Sequence, residues 1–406
     1  MPFDFLRGHL DLLLLLKKAK MKRKTSICAA QVFFRFCIAT VLFPVNIIAQ
    51  QIPEQYRENF SNSFPIRRDQ HLEIKAYVDK LLEESLKTSL TSFKPDYFSI
   101  EDYINSLGPY RKKVGDFFGY PPPRAQDGRI SKFVKISEDA HCTIYRVWVE
   151  VIEGVNAYGL YMVPKNLKGK APLLIAQHGG DGNPEAICDL DTRINYHSFG
   201  PEAVKRGYIV WAPALAMNCG YCQDPEIPGV NREILDRKLQ FAGTSIIGVE
   251  IQKIIESTKA LIKERPEIDA ERVGMTGLSW GGFYTMYVTA VCPFIKVAVP
   301  AGMLRDYEIE LKKAVADDSK MPPDRLLFNG FGHFQAVGLI CPRPCMIQLG
   351  ETDGLFNLEE SRKEAARASL FYEKLGISDR YEFNVHPAGH EFDIPSVFRF
   401  FDKHLK

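Results

Sequence analysis

Three residues late in the chain have the types and the order that acyl transfer requires. Ser279 sits in "GMTGLSWGG", where a G-x-S-x-G pattern runs from Gly277 to Gly281 directly after an apolar stretch and ahead of a helical one. A serine on such a strand-to-helix turn has its hydroxyl pushed outward, and its small neighbours let the surrounding backbone come close. A hydroxyl is a poor nucleophile without a base. "VHPAGHEF" supplies two histidines, His386 and His390, and His390 is favoured because it follows Gly389 on a loop. A carboxylate must then orient the imidazole and stabilise its cation. In "MIQLGETDGLFN" that residue is Asp353, with Glu351 as competitor. The order Ser279, Asp353, His390 is the chain order of an α/β-hydrolase triad.

An oxyanion needs backbone amides aimed at it. One is expected from Trp280, the residue after the nucleophile. The other is expected from the glycine turn in "QHGGDGNPE", with Gly180 preferred. His178 in that turn reads as support for the loop and not as a base.

These residues all come after short apolar runs, and the runs define the fold. "PLLIAQHGG", "GYIVWAP", "RVGMTGLS", "IKVAVPAG", "RPCMIQLG" and "YEFNVHPAG" read as strands buried on both faces. Helical segments separate several of them. "SIIGVEIQKIIESTKALIKE" keeps Ile247, Ile251, Ile254, Thr258 and Leu261 in register, and "NLEESRKEAARASLFYEKLG" and "SVFRFFDKHL" supply later helices. Ahead of them, "CTIYRVWVEVI" alternates, with Tyr145, Val147, Val149 and Val151 on one face. Antiparallel strands followed by alternating strand and helix predict an α/β fold with a mostly parallel sheet covered on both faces, and the order of the three residues makes the α/β-hydrolase fold the expected one. In such sheets ligands lie at the carboxyl ends of the strands, where Ser279, Asp353, His390 and Gly180 all fall.

The preceding residues divide into three. Residues 1–20 read as an upstream extension. From Met21, a basic start and an apolar stretch ending at "IIAQ" have the layout of a secretory signal over 21–49, and the apolar run from Cys37 to Ala49 is short for a membrane span. Residues 51–128 read as a helical lead-in docked on the catalytic domain, with Ile74, Tyr77, Val78, Leu81, Leu82 and Leu86 on one helical face and a Ser99 cap on a second helix. The catalytic domain is expected over 129–406. The product is expected to be exported, periplasmic or secreted.

Composition narrows the function classes. With 52 basic and 50 acidic side chains among 406 residues, the net charge of +2 gives no electrostatic reason for a nucleic-acid or anionic-membrane partner. Nine cysteines, two of them in the leader, leave seven that cannot all pair within one chain. "CGYC" from Cys219 to Cys222 lacks a second ligand pair, so no metal is expected. The loop "ALAMNCGYCQDPEIPGVNREILDRK" and the stretch "FNGFGHFQ" are candidate walls for substrate choice. The oligomeric state is open.

From about residue 130 onward the chain resembles α/β-hydrolase esterases of the dienelactone hydrolase and acetyl xylan esterase type. The resemblance rests on "RPEIDAERVGMTGLSWGG", "CPRPCMIQLGETDGLFN" and "HPAGHEF". It implies a serine carboxylesterase that uses no cofactor and acts on short-acyl, often carbohydrate, esters. Two departures stand out. Dienelactone hydrolases use a cysteine where this chain has Ser279. The acetyl xylan and cephalosporin deacetylases carry an Arg-Gly-Gln motif and a glutamine after the nucleophile, whereas this chain lacks the motif and has Trp280. A serine peptidase or amidase with the same triad, and a silent carbohydrate-binding protein on the same fold, are the rival readings.

Overall fold

A computed structural model describes residues 54–180, 182–190, 194–216, 232–306, 308–310, 312 and 331–406. The expected signal segment over 21–49, Cys219, Cys222 and most of the two candidate substrate walls lie outside the described residues. Before the main body, residues 60–63 form a 3-10 turn whose Asn59 side chain accepts the Ser61 amide.

The described chain then forms helices α1 (Phe64–Ser92), α2 (Ile100–Ser106) and α3 (Gly108–Phe118). Nine strands come next: β1 (Ala125–Glu138), β2 (Cys142–Ile152), β3 (Val155–Pro164), β4 (Ala171–Gln177), β5 (Ile209–Pro213), β6 (Ile268–Leu278), β7 (Val297–Ala301), β8 (Cys345–Gly350) and β9 (Tyr381–His386). Between and after them lie α4 (Phe199–Lys205), α5 (Arg232–Phe241), α6 (Ile246–Glu264), α7 (Trp280–Val291), α8 (His333–Ile340), α9 (Leu358–Lys374) and α10 (Ile394–Leu405).

The strands make one sheet in the order β1-β2-β3-β5-β4-β6-β7-β8-β9. The first three and the β3–β5 pair run antiparallel, and every pair from β5–β4 to β8–β9 is parallel. All residues of β4, β5, β7 and β8 are buried, as their unbroken apolar runs predict. One face packs on α6, α7, α8 and α9 through residues such as Ile251, Tyr287, Val337 and Phe371. The other packs on α4 and α10 through Phe199, Val204, Phe398 and Phe401. Ile251, Ile254, Thr258 and Leu261 of α6 are buried as the register requires, and the Ser245 side chain caps that helix by accepting the Gly248 amide.

The lead-in splits into two regimes. The α2–α3 pair docks: Tyr103, Leu107, Val114 and Phe118 are fully buried in the core, and the Ser99 cap forms through the Asp102 amide. The expected docking face of α1 does not form. Ile74, Tyr77, Val78 and Leu81 are 57%, 62%, 43% and 44% exposed. That apolar stripe is narrow and broken by charge, so it offers little area to bury. The β region also starts earlier than the alternation in "CTIYRVWVEVI" suggests, because β1 pairs along β2.

Cys142, Cys188, Cys292, Cys341 and Cys345 are buried and unbridged. Burial pushes the Cys142 and Cys341 thiols up to about 12, so they stay protonated at neutral pH.

Candidate active site

The turn after β6 holds Ser279 at φ 61°, ψ −119°, a positive-φ conformation that is strained for a residue with a Cβ. Two contacts keep it there. The Ser279 amide donates to Ala301 O at the end of β7 (2.9 Å), and Ser279 O accepts from the Phe283 amide in the first turn of α7 (2.9 Å). The flanking glycines are required by close approach. A Cβ at Gly281 would lie 2.2 Å from Gln177 O, and one at Gly277 would lie 2.4 Å from the Gly281 backbone. The residue types of G-x-S-x-G thus follow from the crossing of β6, β4 and α7.

Asp353 and His390 meet as the chain order predicts. His390 Nδ1 is 2.8 Å from Asp353 Oδ2. The other oxygen, Asp353 Oδ1, accepts the amides of Leu355 (2.8 Å) and Phe356 (3.2 Å). Burial alone would push the Asp353 carboxyl up, but the bonds from His390 and these two amides outweigh it and hold the group below the ordinary carboxylate range. With Nδ1 turned to this carboxylate, Nε2 is the ring nitrogen left facing away from it. His390 Nε2 is buried and has no hydrogen-bond partner among the described residues. Glu351 is exposed, and His386 ends β9 as a buried side chain. Neither contacts the pair.

His390 lies over Gly302, the residue after the carbonyl that holds Ser279. A Cβ on Gly302 (φ 54°) would sit 2.8 Å from His390 Cε1 and 3.0 Å from Leu278 Cδ1. The imidazole therefore rests beside the Ser279 turn. Its far side stacks on Phe356 with ring centroids 5.7 Å apart, and the Arg305 guanidinium covers that ring at 4.8 Å. The loop that carries His390 is clamped by Gln348 of β8, which donates to Asp393 O and Ser396 Oγ and accepts the Asp393 amide.

The glycine turn after β4 reaches the same place. A Cβ on Gly179 would lie 3.2 Å from Ser279 Cβ, and the Gly179 amide is taken by Tyr196 Oη at 2.8 Å. The amides of Gly180 and Trp280 donate to no partner among the described residues. His178 is a support, as the sequence suggests. Its Nδ1 bonds Gly179 O (2.9 Å), and its Nε2 accepts the Leu215 amide (2.9 Å). Burial pushes His178 down to about 4, so it is neutral and cannot act as a solvent-linked base.

Trp280 is half-buried against Phe283 and Tyr284, and the Arg232 guanidinium lies 5.3 Å from its ring centroid. Arg232 also donates to Ala216 O and Tyr284 Oη. This tie from α5 to the residue beside Ser279 has no motif in the sequence. Gly302 and Gln348 likewise belong to no catalytic motif. A glutamine inside the otherwise apolar "CMIQLG" is the one signal that marks Gln348, because a buried amide must find partners.

The family model described as acetyl xylan esterase matches residues 133–318. This chain is a carboxylic ester hydrolase, and the match covers a little under half of it. The esterase resembles the hydrolase YtaP of Bacillus subtilis (strain 168), with 26% identity over 245 residues, which are 58% of this chain and 78% of that protein. Its fold is that of a Bacteroides fragilis NCTC 9343 structure described as an acetyl xylan esterase, at TM-score 0.59 and 16% identity over 86% of this chain and 91% of that one. A glucuronoyl esterase from Caldicellulosiruptor kristjansonii superposes at TM-score 0.51 and 18% identity over 77% of this chain and 90% of that one. No helix among the described residues is long and apolar enough to cross a membrane.

Proposed function

We propose that this esterase is an exported enzyme that removes short acyl groups, acetyl above all, from carbohydrate by a Ser279–His390–Asp353 mechanism. The observation that carries the mechanism is the Asp353–His390 contact of 2.8 Å beside a serine held at φ 61°. His390 Nε2 takes the Ser279 proton as Oγ attacks the ester carbonyl. The amides of Gly180 and Trp280 stabilise the oxyanion of the tetrahedral intermediate. His390 then protonates the leaving alcohol, and an acyl-serine remains. Water, deprotonated by His390, attacks that ester and releases the acid.

The family match and the Bacteroides fragilis fold neighbour support a sugar hydroxyl as the leaving group. Trp280 in place of glutamine gives the site a different wall from that of the deacetylases carrying Arg-Gly-Gln. The basic and apolar segment over 21–49 supports export, with 129–406 as the catalytic domain and 51–128 as its lead-in.

The test is a fluorophosphonate probe and an aryl acetate assay on the mature chain. Labelling at Ser279 is expected, with loss of turnover in Ser279→Ala. Full turnover in that variant would overturn the mechanism. Comparing acetylated sugars, methyl uronates and feruloyl esters then ranks the acyl and alcohol classes. Faster cleavage of aminoacyl anilides than of aryl esters would replace the esterase reading with the peptidase one.

A further inference from the structure

At the opposite end of the sheet from Ser279 lies an open cleft of about 440 Å³. It is framed by the turn between β3 and β4, the end of α4, the middle of β6 and the last residue of the chain. Six basic side chains line it: His141, Lys168, Lys170, Lys205, Arg272 and Lys406. Their balance is uneven. Arg272 is paired with Asp269 (2.7 Å), Lys205 with Glu202 (2.8 Å) and Lys406 with Asp402 (2.7 Å). The nearby Asp139 carboxylate accepts the amides of His141 and Cys142. Lys168 and Lys170 form no ion pair among the described residues, and both are exposed. They flank Gly169, whose φ of 87° makes the tight turn that presents them side by side. In a chain with a net charge of only +2, this is a local concentration of unneutralised cation.

We propose that this cleft is a second, non-catalytic site for an anionic polysaccharide, which it binds through carboxylate or sulfate groups. Three features select that chemistry. The site is open and wide, so it suits a chain running across it better than a small enclosed ligand. No Phe, Tyr or Trp side chain lines it. Neutral sugars are held largely by stacking on aromatic faces, so charge must supply the attraction here. The site is also separate from the reaction. Arg272 lies seven residues before Ser279 along β6, roughly 23 Å at strand spacing. A polymer anchored there raises the local concentration of its own ester groups without entering the acyl site. That last step rests on the carbohydrate-ester reading above; the binding itself does not.

Affinity electrophoresis tests it, with mobility scored against each protein's own migration in polymer-free gel. The gels contain polygalacturonate, dextran sulfate or neutral xylan. The intact chain should be retarded by polygalacturonate, dextran sulfate or both, and the pattern identifies the anionic group. Retardation should vanish at about 0.5 M salt, where exposed charges are screened. K168E/K170E should weaken it about tenfold while leaving aryl acetate turnover unchanged. S279A should bind as the parent does, so a failure of the hydrolase reading and a failure of this one are distinguishable. Retardation by neither anionic polymer, equal retardation by neutral xylan, or an equal loss in the control K113E/K263E would overturn the proposal.

Discussion

The two ends of the parallel sheet handle their polar groups in opposite ways. At the carboxyl end, the side chains that support the Ser279 turn and the His390 loop are held by specific hydrogen bonds. Asp353 holds three donors, Gln348 holds the loop of His390, and His178 joins Gly179 to Leu215. At the amino end, the Lys168-Gly169-Lys170 turn leaves its charges in solvent. The first end is built for geometry, because a misplacement of about 1 Å costs roughly 100-fold in rate. The second makes no demand on geometry, and a long-range charge field suffices there. Substitutions at the first end should therefore act steeply on turnover and those at the second should not act on it.

The steepest effect is expected at the nucleophile. Ser279→Ala should lower kcat for an aryl acetate by about 10⁵- to 10⁶-fold with an unchanged circular dichroism spectrum. Asp353→Asn should cost about 10⁴-fold, because the wrong tautomer of His390 then faces Ser279. A loss of less than tenfold would show that another group orients the imidazole. Gly302→Ala should lower kcat by about 100-fold, with a smaller change in KM, because its Cβ displaces the His390 ring. The same variant should lose about 1 kcal/mol of stability from its positive φ.

The next expected effect is on stability alone. His178 is depressed to about 4 when folded, against about 6.5 unfolded. The unfolded chain therefore binds the extra proton first as pH falls. The neutral group's contribution is complete above pH 6.5 and declines as pH drops towards 4, by roughly 3 kcal/mol in all. Urea midpoints of H178N across that window should fall less steeply than those of the parent. Equal slopes would mean that His178 does not titrate as a buried neutral ring. The smallest effect belongs to the other end of the sheet, where K168E/K170E should leave aryl acetate turnover within about twofold of the parent. A large loss there would join the two ends that the geometry separates.

How far the sequence carries the fold depends on how much each element buries. β4, β5, β7 and β8 are buried throughout, so their apolar runs stand out. β1 is an edge strand with only half-buried and exposed residues and three register shifts along β2, which scatters its alternation through "RISKFVKISE". The α1 stripe is legible as a pattern, but periodicity shows only which residues share a face and not whether anything covers it. Ser279, Asp353 and His390 are legible because each comes after a strand and their order is restrictive. Gly302 and Arg232 act through approach and stacking across distant segments. Neither leaves a mark in local spacing.

The end of β7 has a mechanical consequence. Ala301 O fixes the Ser279 amide, Gly302 lies under His390, and the Gly302 amide donates to Gln348 O, whose side chain clamps the loop of His390. Ser279 and His390 are therefore both positioned from one point. A displacement of this strand end would carry both residues with it and leave their separation largely unchanged.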